Sequence, residues 1–433
     1  MRRDETLSRQ FRYRVQGKRW WNAMFGASER VANGSHPHSS VHLVDDVDVR
    51  SYEPNSVVFN GVSGIPRSQF SALALSDAIE WDYIRAIERI SSKDFQFLSI
   101  GLGDAKQLAA VAAFFRLDYR VDDSLGAWAK SITNWLAKLN PGLVTFPALI
   151  MGNPFLDECP IGIPANTPPS VRLEYFSAFL DGMSKLAADD GIKILALKDI
   201  ACRDAAWAHD LLSSRGFSRI PSLPVAELTI PWDSADKYIA SLRPKMRSDL
   251  RRKLRQSKAV RTEVRDTIAG LEDQIIDLYR QTQARRKMDC PGFDEIPVDL
   301  FREVTQGLRG RGRVLLCWLD QELVCFNLFL ESKDKIVGKY LGMNYAHVRA
   351  YNLYFVNWMR MLEYAIASGV KTLQVGQTSY DIKVKLGCEL HPSWVYFKHT
   401  GKVRGPLFRW FAPWASYAQF DPDLGRLVDR SPK

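Results

Sequence analysis

VLLCWLDQELVCFNLFLESKDKIVGKYLGM, residues 314–343, reads as three strands joined by two tight turns. Val314–Leu319, Leu323–Glu331 and Ile336–Met343 are apolar runs with β-branched and aromatic side chains. Asp320–Gln321 and Ser332–Lys335 are too short to hold a crossover, so the three strands form an antiparallel meander. Downstream, apolar residues recur at helical spacing from Asn352 to Ser368, Gly369 stops that helix, and Lys371–Val375 follows as a strand. A polar loop then leads to a last strand at Trp394–Lys398. Upstream lie an alternating run, Val260–Val264, and helical patterns at about 268–287 and 298–308. The order β-α-α-β-β-β-α-β-loop-β predicts a mixed sheet whose crossover helix comes late.

The earlier part of the chain reads in the same alphabet. Strand-like runs fall at Ser56–Asn60, Phe95–Ile100, Val144–Met151, Ile192–Leu197 and Val225–Ile230. Helical patterns fall at about 68–90, 104–115, 169–189 and 203–215, the last stopped by Gly216. A short repeat links the two parts: AADDGIK at 187–193 matches AIASGVK at 365–371, each a helix end, a glycine and an apolar strand. Gly216 precedes Pro221 by the same distance that Gly387 precedes Pro392. The fold class is therefore α/β, in two similar halves, each a mixed, mostly antiparallel sheet flanked by helices. The expected divisions are a basic N-terminal arm (1–40), an N-terminal half (41–235), a basic linking helix (236–258), a C-terminal half (259–400) and an aromatic, basic tail (401–433).

The 433 residues carry a formal charge of +10, with 46% hydrophobic and 25% charged residues, which suits a folded chain of more than one domain and excludes wholesale disorder. No apolar run approaches the length of a membrane span, and the basic N-terminus lacks the apolar core of a secretory signal, so a cytoplasmic location is expected. The six cysteines form no CxxC pairs and read as reduced thiols. The seven histidines lack ligand-spaced partners, so no metal site is expected; GxSxG and phosphate-loop motifs are also missing.

The positive charge is local. Residues 1–20 hold a net +5 and residues 243–261 a net +8, leaving a slightly acidic remainder. In the second segment Leu242, Met246, Leu250 and Leu254 recur every four residues, one apolar stripe on a helix whose other faces carry Arg247, Arg251, Arg252, Lys253 and Arg255. Such a helix docks on a core and still presents cations to phosphate or carboxylate. Local basicity points to an anion site on Arg247, Arg251, Arg252 and Lys253 rather than to general DNA coating, and no DNA partner is expected. In the tail, Phe408, Trp410, Phe411 and Trp414 interleave with Lys402, Arg404 and Arg409. Pro406 and Pro413 favour a packed lid there over a continuous amphipathic helix, with peripheral membrane contact as the other reading.

Three stretches resemble a known group. YIASL at 238–242 followed by KMRSDLRRK at 245–253 is similar to the "YL-SL … R-nlRR-kk" segment of FemAB-like acyltransferases; the helix from Asn352 to Gly369 resembles their long helix after the central strands; and YDIKVKLG at 380–387 resembles their "yK-r-G" loop, with Lys383 four residues before the glycine. The order of elements resembles the GNAT superfamily, and the chain is identified on these residues with its FemAB-like branch, which includes BioF2-like or CelD-like acetyltransferases. The resemblance covers roughly residues 225–400 and implies tandem GNAT-like halves. One departure stands out. Ordinary acetyl-CoA members hold the pyrophosphate with a glycine turn before the long helix, whereas Asn344–Asn352 here has no glycine. Asn352 can still cap the helix, with Arg349 beside it.

The resemblance implies an N-acyltransferase that moves an acyl group from acyl-CoA, acetyl-CoA above all, to an amine by direct attack. Such a reaction needs donor and amine held together, a proton removed from the amine, and a partner for the oxyanion. The resemblance also implies a cleft between splayed central strands, which puts Lys383 forward for an oxyanion or phosphate contact and Tyr380, Asp381 and Tyr340 for proton transfer. Arg349, Asn352 and Gln377 are put forward for holding the donor. The acceptor is a small-molecule or cell-envelope-precursor amine. An aminoacyl-tRNA-dependent peptidyltransferase acting on a cell-wall or natural-product precursor, with charged tRNA as partner, is the alternative. A non-catalytic module binding an acidic glycan or lipid is the second.

Overall fold

The computed structural model describes residues 50–52, 56–73, 79–90, 95–103, 107–120, 145–285, 298–308 and 310–401. The basic arm and the aromatic tail expected at the two ends lie outside the described residues.

The strands are β1 (Arg50–Tyr52), β2 (Ser56–Phe59), β3 (Gln96–Gly103), β4 (Leu108–Arg120), β5 (Thr145–Met151), β6 (Ile161–Gly162), β7 (Ile194–Ala201), β8 (Ser218–Pro221), β9 (Val225–Thr229), β10 (Val260–Arg265), β11 (Gly312–Leu319), β12 (Glu322–Glu331), β13 (Lys335–Met343), β14 (Thr372–Val375), β15 (Glu389–His391) and β16 (Ser393–His399). The helices are α1 (Arg67–Ala72), α2 (Ile79–Glu88), α3 (Pro169–Asp189), α4 (Cys202–Ser214), α5 (Ala235–Ser241), α6 (Pro244–Gln256), α7 (Glu272–Gln283), α8 (Val298–Gln306), α9 (Leu353–Ala367) and α10 (Tyr380–Lys385).

The strands form two mixed sheets. The first runs β1-β2-β3-β4-β5-β7-β16-β8, with β6 added against β4; the second runs β10-β11-β12-β13-β14-β9-β15. Laid side by side they follow one plan. Four antiparallel strands (β2 to β5, β10 to β13) are followed by a parallel neighbour (β7, β14), then by two antiparallel strands (β16 and β8, β9 and β15). The duplication read from the sequence is present in the topology.

The repeat carries an exchange that the sequence order hides. Val225–Thr229 is the last strand of the first half, yet it pairs with β14 and β15 in the second sheet. Ser393–His399 is the last strand of the second half, yet it pairs with β7 and β8 in the first. Each half therefore completes its sheet with the other's final strand. The fully buried Tyr396 sits among Leu195, Leu197 and Phe217 in the first half's core, and its hydroxyl lies 3.1 Å from His209 Nδ1.

The glycine stops are as the repeat suggests. Gly191, Gly216, Gly369 and Gly387 all have φ between 67° and 94°. After each, a backbone N–H reaches back five residues to close the helix: Ile192 to Ala187, Phe217 to Leu212, Val370 to Ala365 and Cys388 to Lys383. Two expectations fail locally. Residues 104–115 read as a helical pattern in the sequence, but 108–120 is β4, a central strand whose Ala110–Phe115 is buried on both faces and so shows no alternation. Residues 380–385, expected as loop, form the single helical turn α10.

The second sheet has two covered faces. Leu315, Phe329, Ile336 and Leu373 pack under α5, α6 and α9. Leu316, Phe326, Leu328, Val337 and Tyr340 pack under α7 and α8 and, across the junction, against Tyr83 and Ile84 of α2. The first half is thus built into the second half's core.

Candidate functional site

β13 and β14 are parallel only at their starts. Lys335 pairs with Thr372, Ile336 with Leu373 and Val337 with Gln374; beyond that register β13 continues to Met343 while β14 ends at Val375. The strands part like a fork. On its other side β13 carries a bulge: Tyr340 pairs with Leu328 and Gly338 with Phe329, so Lys339 has no partner on β12. A forked sheet exposes strand-edge amides to whatever enters it, in surroundings already poor in water. The first sheet differs: the last four residues of β5, Ala148–Met151, pair with 194–197, and the chain leaves the sheet directly after them. Segment 152–159 turns back across β7, with Leu156 buried, Lys198 Nζ donating to the Leu156 carbonyl at 2.9 Å and the Cys159 N–H donating to Asp199 O at 2.9 Å.

The end of β14 is held from below. Lys383 is on α10, buried, and its ammonium donates to the Gly376 carbonyl just past β14. Burial pushes the neighbouring Cys388 thiol up to about 12, with the Lys383 charge acting against it. Tyr380 is fully buried and its hydroxyl donates to Pro224 O at 2.9 Å; Gln377 Nε2 donates to Leu223 O at 3.1 Å. Both therefore grip the segment leading into the exchanged strand β9. Asp381 pairs with Lys385 at the surface. Tyr340 faces the opposite side of the sheet, where its hydroxyl lies 2.8 Å from that of Tyr83.

Asn352 and the end of the basic helix meet at the start of α9. Asn352 has φ 48° and ψ 41°, and its side chain caps no helix N–H. The capping expectation fails because its Nδ2 turns instead to Gln256 Oε1 of α6 at 3.4 Å. Arg252 Nη1 reaches the same oxygen at 3.1 Å, and Ser257 Oγ donates to Tyr351 O at 2.6 Å. The basic helix is thereby tied to the turn that replaces the glycine loop. Its cations are partly spent. Asp249 takes Arg252 at 2.6 Å and Lys253 at 2.7 Å, which hold its carboxyl below the usual range. Lys253 also lies 3.5 Å above the Phe355 ring, and Arg247 donates to Ala240 O. Arg251 and Arg349 are exposed, with no ion pair among the described residues. In the second turn of α9 the buried Asn357 Oδ1 has no hydrogen-bond partner among the described residues. The alternation of Lys339 and Tyr340 on a central strand already points one of them toward the cleft, whereas Asn357 and Tyr83 escape a sequence reading: Asn357 sits in an ordinary helical pattern, and Tyr83 lies far away in the chain.

Among the described residues no helix is long and apolar enough to cross a membrane. Residues 244–384 match the family model for the acetyltransferase (GNAT) domain. A protein of Mycobacterium tuberculosis (strains CDC 1551 / Oshkosh and ATCC 25618 / H37Rv) named putative 8-amino-7-oxononanoate synthase 2 is 24% identical over 332 residues, 74% of this chain and 42% of that protein. The chain thus spans less than half the length of these curated relatives. Among solved structures, FemX is 13% identical with a TM-score of 0.49, covering 81% of this chain and 96% of that one. A tandem GNAT protein from the clavulanic acid biosynthesis pathway is 11% identical, with a TM-score of 0.45 and coverages of 77% and 95%. L-PGS from Bacillus licheniformis is 11% identical, with a TM-score of 0.46 and coverages of 81% and 96%. The match over 244–384 takes in α6, the fork, the start of α9 and most of α10.

Proposed function

We propose that the chain transfers an acyl group from a coenzyme A thioester, acetyl-CoA in the simplest case, to a primary amine by direct attack in the fork of the second sheet. The observation that carries this reading is the parting of β13 and β14 after Val337 and Gln374. A thioester laid along β13 would find strand-edge N–H groups at Gly338–Met343 to donate to its carbonyl oxygen, the oxyanion partner the reaction needs. Arg349, Arg251 and the first turn of α9 would take the donor's phosphates. The orphaned Asn357 Oδ1 suits an amide N–H of the donor's arm, since a buried acceptor without a donor costs free energy until it is paired. Lys383 supports the reaction by fixing the turn at Gly376, and Tyr380 and Gln377 by fixing segment 222–224; Asp381 has no task at the fork in this reading. The acceptor would enter from the junction between the halves, as a small-molecule or envelope-precursor amine.

An aminoacyl-tRNA donor is the second reading, favoured by the basic helix α6 tied to the start of α9. A thermal-shift series with acetyl-CoA, longer acyl-CoAs and charged tRNA separates the two. A donor at a hundred times its Kd adds about 2.7 kcal/mol of stability, and RNA binding falls steeply with salt. Thiol release from acetyl-CoA on adding a primary amine tests turnover. Binding without turnover would leave the module reading, and no shift with any thioester would remove the leading one.

A further inference from the structure

Lys339 occupies a position that packing alone does not require. It is the bulged residue of β13, two places beyond Val337, the last residue paired with β14. It is half-buried, and its side chain leaves the second half altogether. Nζ donates to the Phe155 carbonyl of the first half at 3.4 Å and lies 4.8 Å above the ring of Tyr83. Two residues on, Asp157 Oδ2 accepts from Gln374 Nε2 at 3.1 Å, and Gln374 is Val337's partner at the branch point. Segment 155–157 thus bridges both prongs of the fork. An amine nitrogen is thus held close to the point where β13 and β14 part.

We propose that Lys339 is the proton acceptor of the reaction: it takes a proton from the acceptor's ammonium so that the free amine attacks the thioester. The inference rests on the acyl-transfer reading above. The neutral Lys339 amine accepts one proton from R–NH3+. The freed nitrogen pair forms the C–N bond while the carbonyl π pair moves to oxygen. That pair returns as the C–S bond breaks, and the departing thiolate takes the second proton released from nitrogen. Amide and thiol leave, and Lys339 returns its proton to solvent.

The surroundings suit a lysine neutral at lower pH than usual. Burial lowers its pKa, and the charges of Lys198 on β7 and Lys335 on β13 act the same way. Asp157 and Glu80 of α2 oppose them. Tyr83 and, through it, Tyr340 complete the groups on this side, and Tyr83 stays protonated because burial holds its phenol far above the ordinary value. The first half therefore sets the pH at which the second half works.

Trace labelling of the intact chain with dinitrofluorobenzene across a pH series, read by peptide mass spectrometry, reports the titration directly. Lys339 should reach half-maximal labelling at a lower pH than the exposed Lys371, and Asp157→Asn should move it lower still. Labelling in step with Lys371, or none at any pH, overturns the proposal. In the second arm, Lys339→Met and Lys339→Arg should keep the Tm rise caused by acetyl-CoA. Both should lose 100-fold or more of the amine-dependent thiol release, with ethanolamine as the probe amine. Wild-type release in either variant also overturns the proposal. If the wild-type chain shows neither a Tm rise nor thiol release, the thioester reading fails, and the labelling result still decides whether Lys339 is a low-pH amine.

Discussion

The phenolic oxygens of Tyr83 and Tyr340 lie 2.8 Å apart although 257 residues separate them in the chain. Tyr83 comes from α2 of the first half and Tyr340 from the central strand of the second, and both are buried. Tyr340 also meets Tyr279 and Phe301 edge-on, at 5.7 and 5.2 Å between ring centroids. The pair joins the two halves beside the fork, so an exchange or a hinge between them cannot leave the site untouched.

Tyr83→Phe keeps the ring and removes the hydrogen bond. Urea unfolding should show a loss of about 0.5–1.5 kcal/mol, and the Tyr83→Phe, Tyr340→Phe double variant should lose less than the sum of the singles. Strict additivity would mean that the two hydroxyls do not interact.

The exchanged strands predict a displaced effect. Tyr396 is close in sequence to α10 and β15 but is packed in the first core, so Tyr396→Ala should cost about 3–5 kcal/mol there. Hydrogen exchange should quicken in β7 and β8 before it does in β13 and β14. Faster exchange in the second sheet alone would contradict the exchange.

Two glycines near β14 should answer differently to the same change. Among the described residues neither Gly369 nor Gly376 has anything within 4 Å of an added Cβ, but Gly369 has φ 72°, so Gly369→Ala is strained by about 1–2 kcal/mol through its backbone alone. Gly376 has no positive φ, so Gly376→Ala should leave Tm near the wild-type value. Equal Tm values for the two variants would mean that the left-handed backbone at Gly369 carries no cost.

Alkaline stability should report on the floor of the site. The Cys388 thiol titrates near 9 when unfolded and is pushed up to about 12 when folded, so the native state binds the extra proton between those values. Its contribution is complete below pH 9 and is lost as pH rises toward 12, at about 1.4 kcal/mol per pH unit. Cys388→Ala should flatten the stability curve by about that slope between pH 9 and 11, and an unchanged slope would place the thiol in water.

The meander at 314–343, the late helix and the glycine stops were legible because each is a local pattern: alternation, period and a left-handed stop leave marks within a dozen residues. β4 was misread for a physical reason. A strand buried on both faces shows no alternation, and Ala109–Ala113 favours helix when viewed alone. The exchange of β9 and β16 leaves no local mark at all, since a strand's sequence says which faces are buried and not which neighbour buries them. The same holds for the site. Lys383 and the basic helix were visible as motifs, whereas Lys339 gains its place from a bulge and from Phe155 and Tyr83, residues that only folding brings to it.

A thioester lying in the fork between β13 and β14 would shield strand-edge amides there, and hydrogen–deuterium exchange of the full chain with and without saturating acetyl-CoA reads that shielding. Exchange should slow at Gly338–Met343 and in the first turn of α9, with β7 unchanged because segment 152–159 already contacts it. Unchanged exchange at 338–343, with protection confined to the first sheet, would place the donor elsewhere.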